Sequence, residues 1–186
     1  MTEMHMEADN AKLYGILAIA VSAAGMTRVF EKGSARKIRD KLALCIDGFL
    51  NARSEEEYRY NHDEFCGWFV RQIKTAAKKP ASWGQAAKVI DIVLKVCVYY
   101  CNLPSARDSL RIAPWINAAI DTQRLKALKE KYPELEIPNV NTVQDIDREV
   151  YQKLQDKMRE EIKHPPFNGK IWPVQYDDIK WREENP

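Results

Sequence analysis

Twenty-two consecutive residues, ASWGQAAKVIDIVLKVCVYYCN from Ala81 to Asn102, constrain the fold more than any other stretch. After Gly84 nearly every side chain is apolar, and Lys88, Asp91 and Lys95 are the charged exceptions. Those three are spaced three and four apart, so on a helix they form one narrow stripe. A helix that is apolar around most of its circumference has to be surrounded by other elements. The segment therefore predicts the centre of an all-α fold: about six helices packed around residues 82–101, with the stripe turned to water or to a site.

Composition fits that reading. The 186 residues suffice for one domain with its own core. A hydrophobic share of 45% beside 30% charged residues excludes global disorder. Seven glycines are few for the turns that a β-rich fold of this length needs. The formal net charge of +2 is balanced, so a polyanion would be recognised through local patches. Cys45, Cys66, Cys97 and Cys101 form no C-x-x-C pair, and no histidine lies near Cys97 and Cys101 in sequence, which argues against zinc. Their apolar neighbours point to buried free thiols and a reducing cytoplasm. No metal and no cofactor is expected. The apolar run Leu13 to Ala24 is too short to span a bilayer, and Glu3, Glu7 and Asp9 precede it instead of a basic region. Its Gly15, Ala18, Ala20, Ala23 and Ala24 read as a small-residue face for close helix packing. The chain reads as soluble, with no membrane partner.

Asn10 to Ala24 predicts a first helix ended by Gly25, and Ser34 caps a second running to about Ala52. Ser54 followed by Glu55, Glu56 and Glu57 opens a third, expected to run to Lys79 and stop at Pro80. Ser82 and Gln85 make a capping box for the central helix. A short helical piece follows near Ser105 to Leu110. Asp121 reads as the N-cap of a helix through Lys131, with Leu125 and Leu128 facing inward. Thr142 to Lys163 predicts one long amphipathic helix. Residues 1–163 thus form a helical domain. Residues 164–186 hold four prolines together with Phe167, Trp172, Tyr176 and Trp181, and predict an irregular, extended tail whose aromatics lie on the helical body.

Five features carry candidate chemistry. Arg28, Lys32, Arg36, Lys37, Arg39 and Lys41 form one basic stretch, and Arg71, Lys74, Lys78 and Lys79 another. Side by side they would make a surface for phosphates, whereas helix-dipole compensation and an ordinary solvated basic face explain them more simply. The stripe Lys88, Asp91, Lys95 is either a perturbed acid–base group or, more simply, a solvent edge. His62, among Tyr58, Tyr60, Asp63 and Glu64, is a candidate base or metal ligand, and more simply structural. The tail aromatics could stack bases or anchor the tail to the core.

The fifth feature is WINAAIDTQRLKAL, Trp115 to Leu128. An apolar residue, Asp-Thr at a helix start, an arginine and a hydrophobic stripe resemble the catalytic segment of helix-hairpin-helix DNA glycosylases. In that family a glycine-containing hairpin leads into an apolar helix, and a downstream aspartate is catalytic. The resemblance places Gly84 and the helix Ala86 to Val98 at the hairpin and helix, and Asp121 at the aspartate. It implies cleavage of a base–sugar bond in a nucleotide taken out of the duplex. The chain departs from the family in its hairpin, where Ala81-Ser82-Trp83-Gly84 replaces Leu-Pro-Gly-x-Gly. Ala86 stands where some members carry a nucleophilic lysine, and Lys88 lies half a turn further on. Asn102 to Asn117 lengthens the connection before Asp121.

The functional expectation is a nucleic-acid-associated helical protein on a glycosylase-like scaffold. Asp121 and Lys88 are its candidate catalytic residues; Arg36, Lys37, Lys74, Lys78, Lys79 and Gly84 are its candidate DNA contacts. The rival expectation is a non-catalytic module that docks a protein partner through the helical body or the tail. No Walker loop, nucleophile elbow, H-E-x-x-H or dinucleotide fingerprint occurs.

Overall fold

The computed structural model describes residues 3–25 and 28–184 and contains eight α-helices there, with no strand among the described residues. Helix α1 spans Glu3–Ala23, α2 Ser34–Leu50, α3 Glu55–Gln72, α4 Trp83–Leu94, α5 Ala106–Ile112, α6 Thr122–Lys131, α7 Arg148–Lys163 and α8 Pro173–Glu184. The fold is all-α. Glu3, Glu7 and Asp9 lie outside the residues whose side chains are described, and Asn185 and Pro186 outside the described residues. No described helix is long and apolar enough to cross a membrane.

Local chemistry sets the starts of α3, α4, α6 and α7. Ser54 Oγ accepts from Glu57 N, and Glu57 Oε2 accepts from Arg53 N, at the head of α3. Ser82 and Gln85 close a reciprocal capping box on α4. Asp121 Oδ1 accepts from Arg124 N at 2.8 Å and Asp147 Oδ1 from Val150 N at 2.8 Å. Each such bond satisfies an N–H that the first turn leaves without a helical partner. At α2 the first helical residue is Ser34, and Gly33 takes the cap position at φ 92°.

Helix α3 stops at Gln72, seven residues short of the expected end at Lys79. Ile73 turns extended and is buried, and Lys37 Nζ donates to the freed carbonyl of Gln72 at 3.0 Å. Glu31 N bonds Lys74 O and Ala76 N bonds Val29 O, so the 73–80 loop pairs with the segment before α2. Burial of Ile73 and those pairings outweigh seven more helical residues. Lys74, Lys78 and Lys79 therefore lie in a loop, and dipole compensation does not account for them.

Helix α4 packs against α1, α3 and α7, and nine of its twelve residues are buried. The segment 142–147 docks on its start. Gly84 N donates to Ile146 O at 2.9 Å, and a Cβ on Gly84 would lie 2.5 Å from Val143 O. This docking breaks the expected helix Thr142–Lys163. Asp145 Oδ2 captures the N–H groups of Asn141 and Thr142, Ile146 is extended, and α7 begins only after Asp147. Short polar side chains that bond nearby backbone compete with continuous helix. After Leu94 the chain widens into a π-turn, Lys95–Tyr100, with Cys101 N bonded to Val96 O.

The C-terminal segment differs from the irregular tail expected. Residues 173–184 form α8, with Pro173 at its first position, where the missing N–H costs nothing. Val174 and Tyr176 are fully buried in the core, and Phe167 meets Tyr176 edge-on at 5.6 Å. Trp181 is 58% exposed. The thiols also differ from expectation: Cys66 and Cys97 are buried, Cys45 is half-buried, and Cys101 is exposed.

Candidate functional site

The stripe on α4 separates into two environments. Lys88 and Lys95 are two turns apart, so they share a face. Asp91 sits roughly 60° around the helix and points between α3 and α7. It is 0% exposed, which excludes the solvent-edge reading for this residue.

Asp91 is the hub of a buried polar cluster. His62 Nε2 lies 3.0 Å from Asp91 Oδ1, and the Tyr151 hydroxyl donates to Asp91 Oδ2 at 2.8 Å. Asn117 Nδ2 donates to the Tyr151 hydroxyl at 2.9 Å, and Arg159 Nη2 donates to Asn117 Oδ1 at 2.9 Å. Cys66 Sγ lies 3.8 Å from His62 Nδ1. The His62 and Tyr151 rings stack 5.5 Å apart. Burial alone would lower the His62 pKa; the charge and hydrogen bond of Asp91 oppose burial and hold it above the usual histidine value. Burial pushes the Cys66 thiol and the Tyr151 phenol up, so both stay protonated at neutral pH. A Cys–His–Asp arrangement with a protonated thiol and no exposed surface on Cys66 is not an activated nucleophile. No group of three or more metal-ligating side chains occurs among the described residues.

The neighbouring face of α4, which carries Lys88 and Lys95, opens onto a hollow of about 400 Å³. Its walls are the C-terminal end of α1 (Ala23, Ala24, Gly25), Ile92 and Val96, Ala119, and α8 through Trp181. Its polar groups are Lys88, Lys95, Tyr100, Asp121, Asp177 and Asp178. Asp121 reaches it through the extended segment before α6. There Ile116, Ala118 and Ile120 are buried while Asn117, Ala119 and Asp121 are half-buried, a period-two alternation. Asn117 contacts the buried cluster, whereas Ala119 and Asp121 line the hollow. Lys95 is held by Asp177 and Asp178, which outweigh the opposing effect of burial and raise its pKa. Burial raises the Asp177 carboxyl.

The structure thus brings Lys88 and Asp121 to one cavity and leaves Gly84 elsewhere, buried under residues 143–146 with its N–H already bonded. Arg36, Lys37, Lys74, Lys78 and Lys79 are all exposed. The 29–31 and 74–76 pairings and the Lys37–Gln72 bond set the two basic segments side by side. Arg39 and Lys41 instead cover the Tyr14 and Trp68 rings at 5.7 Å each. Gly25 lines the hollow and Arg28 follows three residues later, so the cationic edge begins within roughly 11 Å of the cavity wall. Sequence reading missed the roles of Asp177, Asp178 and Tyr151. Only Tyr151 carried a signal, at helical spacing from Leu154 and Met158 on the apolar stripe of α7. No protein-family model matches the chain, and neither a curated protein nor a solved structure matches it.

Proposed function

We propose that the protein binds nucleic acid on a glycosylase-like helical scaffold, with one nucleotide entering the hollow between α4, α6 and α8. The observation that carries this reading is the convergence of Lys88 and Asp121, 33 residues apart in sequence, on one cavity of about 400 Å³. A cavity of this size accepts a base and its sugar, since small-molecule pockets run from about 300 Å³ upward. The strand leading to it lies along Arg28, Lys32, Arg36 and Lys37 and the neighbouring Lys74, Lys78 and Lys79, whose charges meet phosphates without regard to sequence. Base and backbone thus find separate surfaces, one enclosed and one open.

The chemistry available in the hollow is base–sugar cleavage. The Asp121 carboxylate stabilises positive charge developing on the sugar and orients a water toward its anomeric carbon. Water oxygen bonds that carbon as the base departs with the bonding electron pair, and the water proton passes to the base. The Lys88 ammonium, which lines the same hollow, supplies a proton donor and a positive charge.

Binding is tested by fluorescence anisotropy with single-stranded and duplex DNA over a salt series. Affinity falls steeply with salt, and replacing Arg36, Lys37, Lys78 and Lys79 by glutamine flattens the slope. Absence of binding at low salt refutes the reading. Asp121→Asn keeps the helix cap and abolishes base release; unchanged release removes Asp121 from the chemistry.

A further inference from the structure

Lys95 stands at the start of the π-turn and lines the hollow. Its ammonium lies 2.7 Å from Asp177 Oδ2 and 2.5 Å from Asp178 Oδ1, and 5.6 Å over the Tyr100 ring. Asp178 also accepts from the Tyr100 hydroxyl at 2.6 Å. The two carboxylates are not equivalent. The Asp177 side chain is 10% exposed and by itself neutralises Lys95; the Asp178 side chain is 33% exposed, at the rim. Asp178 is therefore a second anion, held by one cation and one hydroxyl at the mouth of a hollow with alanine and aliphatic walls.

Two donors converging on a displaceable oxyanion describe an anion seat. A phosphodiester carries one negative charge, as a carboxylate does, and its oxygens accept from an ammonium and a hydroxyl in the same geometry. We propose that Lys95 and Tyr100 form the phosphate seat for the nucleotide that enters the hollow, and that Asp178 on α8 occupies this seat until a strand displaces it. The proposal rests on the nucleotide-binding reading above and adds its regulation. Displacement needs only rotation of a one-third exposed side chain into water, while Asp177 keeps α8 tethered to Lys95. The acidic helix admits a strand already held along the cationic edge and turns away isolated weak anions.

The test is anisotropy with a short fluorescein-labelled single-stranded DNA at low salt, with folding followed by circular dichroism. Asp178→Asn removes the competing charge at constant shape and tightens binding about tenfold. Tyr100→Phe, at a half-exposed side chain, weakens it about fivefold. Lys95→Met weakens it further and Lys95→Arg retains it. If the wild type binds and loses affinity on replacing Arg36 and Lys37, yet Asp178→Asn and Tyr100→Phe match the wild type, the seat is refuted and the nucleic-acid reading stands. If the wild type does not bind, the reading falls and the seat with it.

Discussion

The two sides of α4 carry similar side chains to opposite ends. Toward α3 and α7, Asp91 accepts from Tyr151, pairs with His62, and has no surface left to offer. Toward α6 and α8, Lys88, Lys95 and Asp121 share a hollow that solvent enters. Charge in the first environment is closed by its neighbours and can only stabilise or destabilise the fold. Charge in the second is exchangeable. A single helix thus separates enclosed charge from solvent-open charge by about a sixth of a turn.

The largest expected effect lies on the closed side. Asp91→Ala leaves the Tyr151 hydroxyl and the His62 ring without their shared acceptor and costs about 3–5 kcal/mol in urea unfolding. A loss below 1 kcal/mol, on the order of a surface change, would erase the contrast. Tyr151→Phe removes one donor to Asp91 and leaves the Asn117 amide facing a ring, costing about 1–3 kcal/mol. Next comes pH. The His62 pKa is raised in the folded state, so the stability it contributes is fully present below the ordinary histidine value of 6.5 and is lost as pH rises through the folded value. The stability gap between wild type and His62→Gln is therefore widest near pH 6, about the ordinary histidine pKa, and narrows in alkaline solution. A gap that widened with pH would reverse the assigned charge state. The smallest effects belong to the open side. Lys88→Met and Asp121→Asn change stability by less than about 0.5 kcal/mol, while both alter DNA binding or base release.

Much of the helical frame was legible because its signals are local. The caps at Ser54, Ser82 with Gln85, and Asp121 each close a bond within three residues, and the apolar spacing around Leu125 and Leu128 needs no distant partner. The site was legible only in fragments. Asp91 looked like a solvent edge because His62 and Tyr151 lie 29 and 60 residues away. The expected end of α3 and the expected start of α7 failed where Ile73 and the 142–147 segment found tertiary partners stronger than helix continuation. Pro173 reads equally as a breaker or as a first helical residue, and burial of Val174 and Tyr176 decided for helix. Asp177 and Asp178 could not be assigned to Lys95 without α8 in place.

Amide chemical-shift mapping during titration with single-stranded DNA distinguishes the two faces of α4. The largest shifts fall at Lys88, Lys95, Tyr100, Asp121 and Asp178, with smaller ones along Arg36, Lys37 and the 74–79 loop. Shifts confined to the His62, Asp91 and Tyr151 side of α4, or none at saturating DNA, would contradict this reading of the two faces.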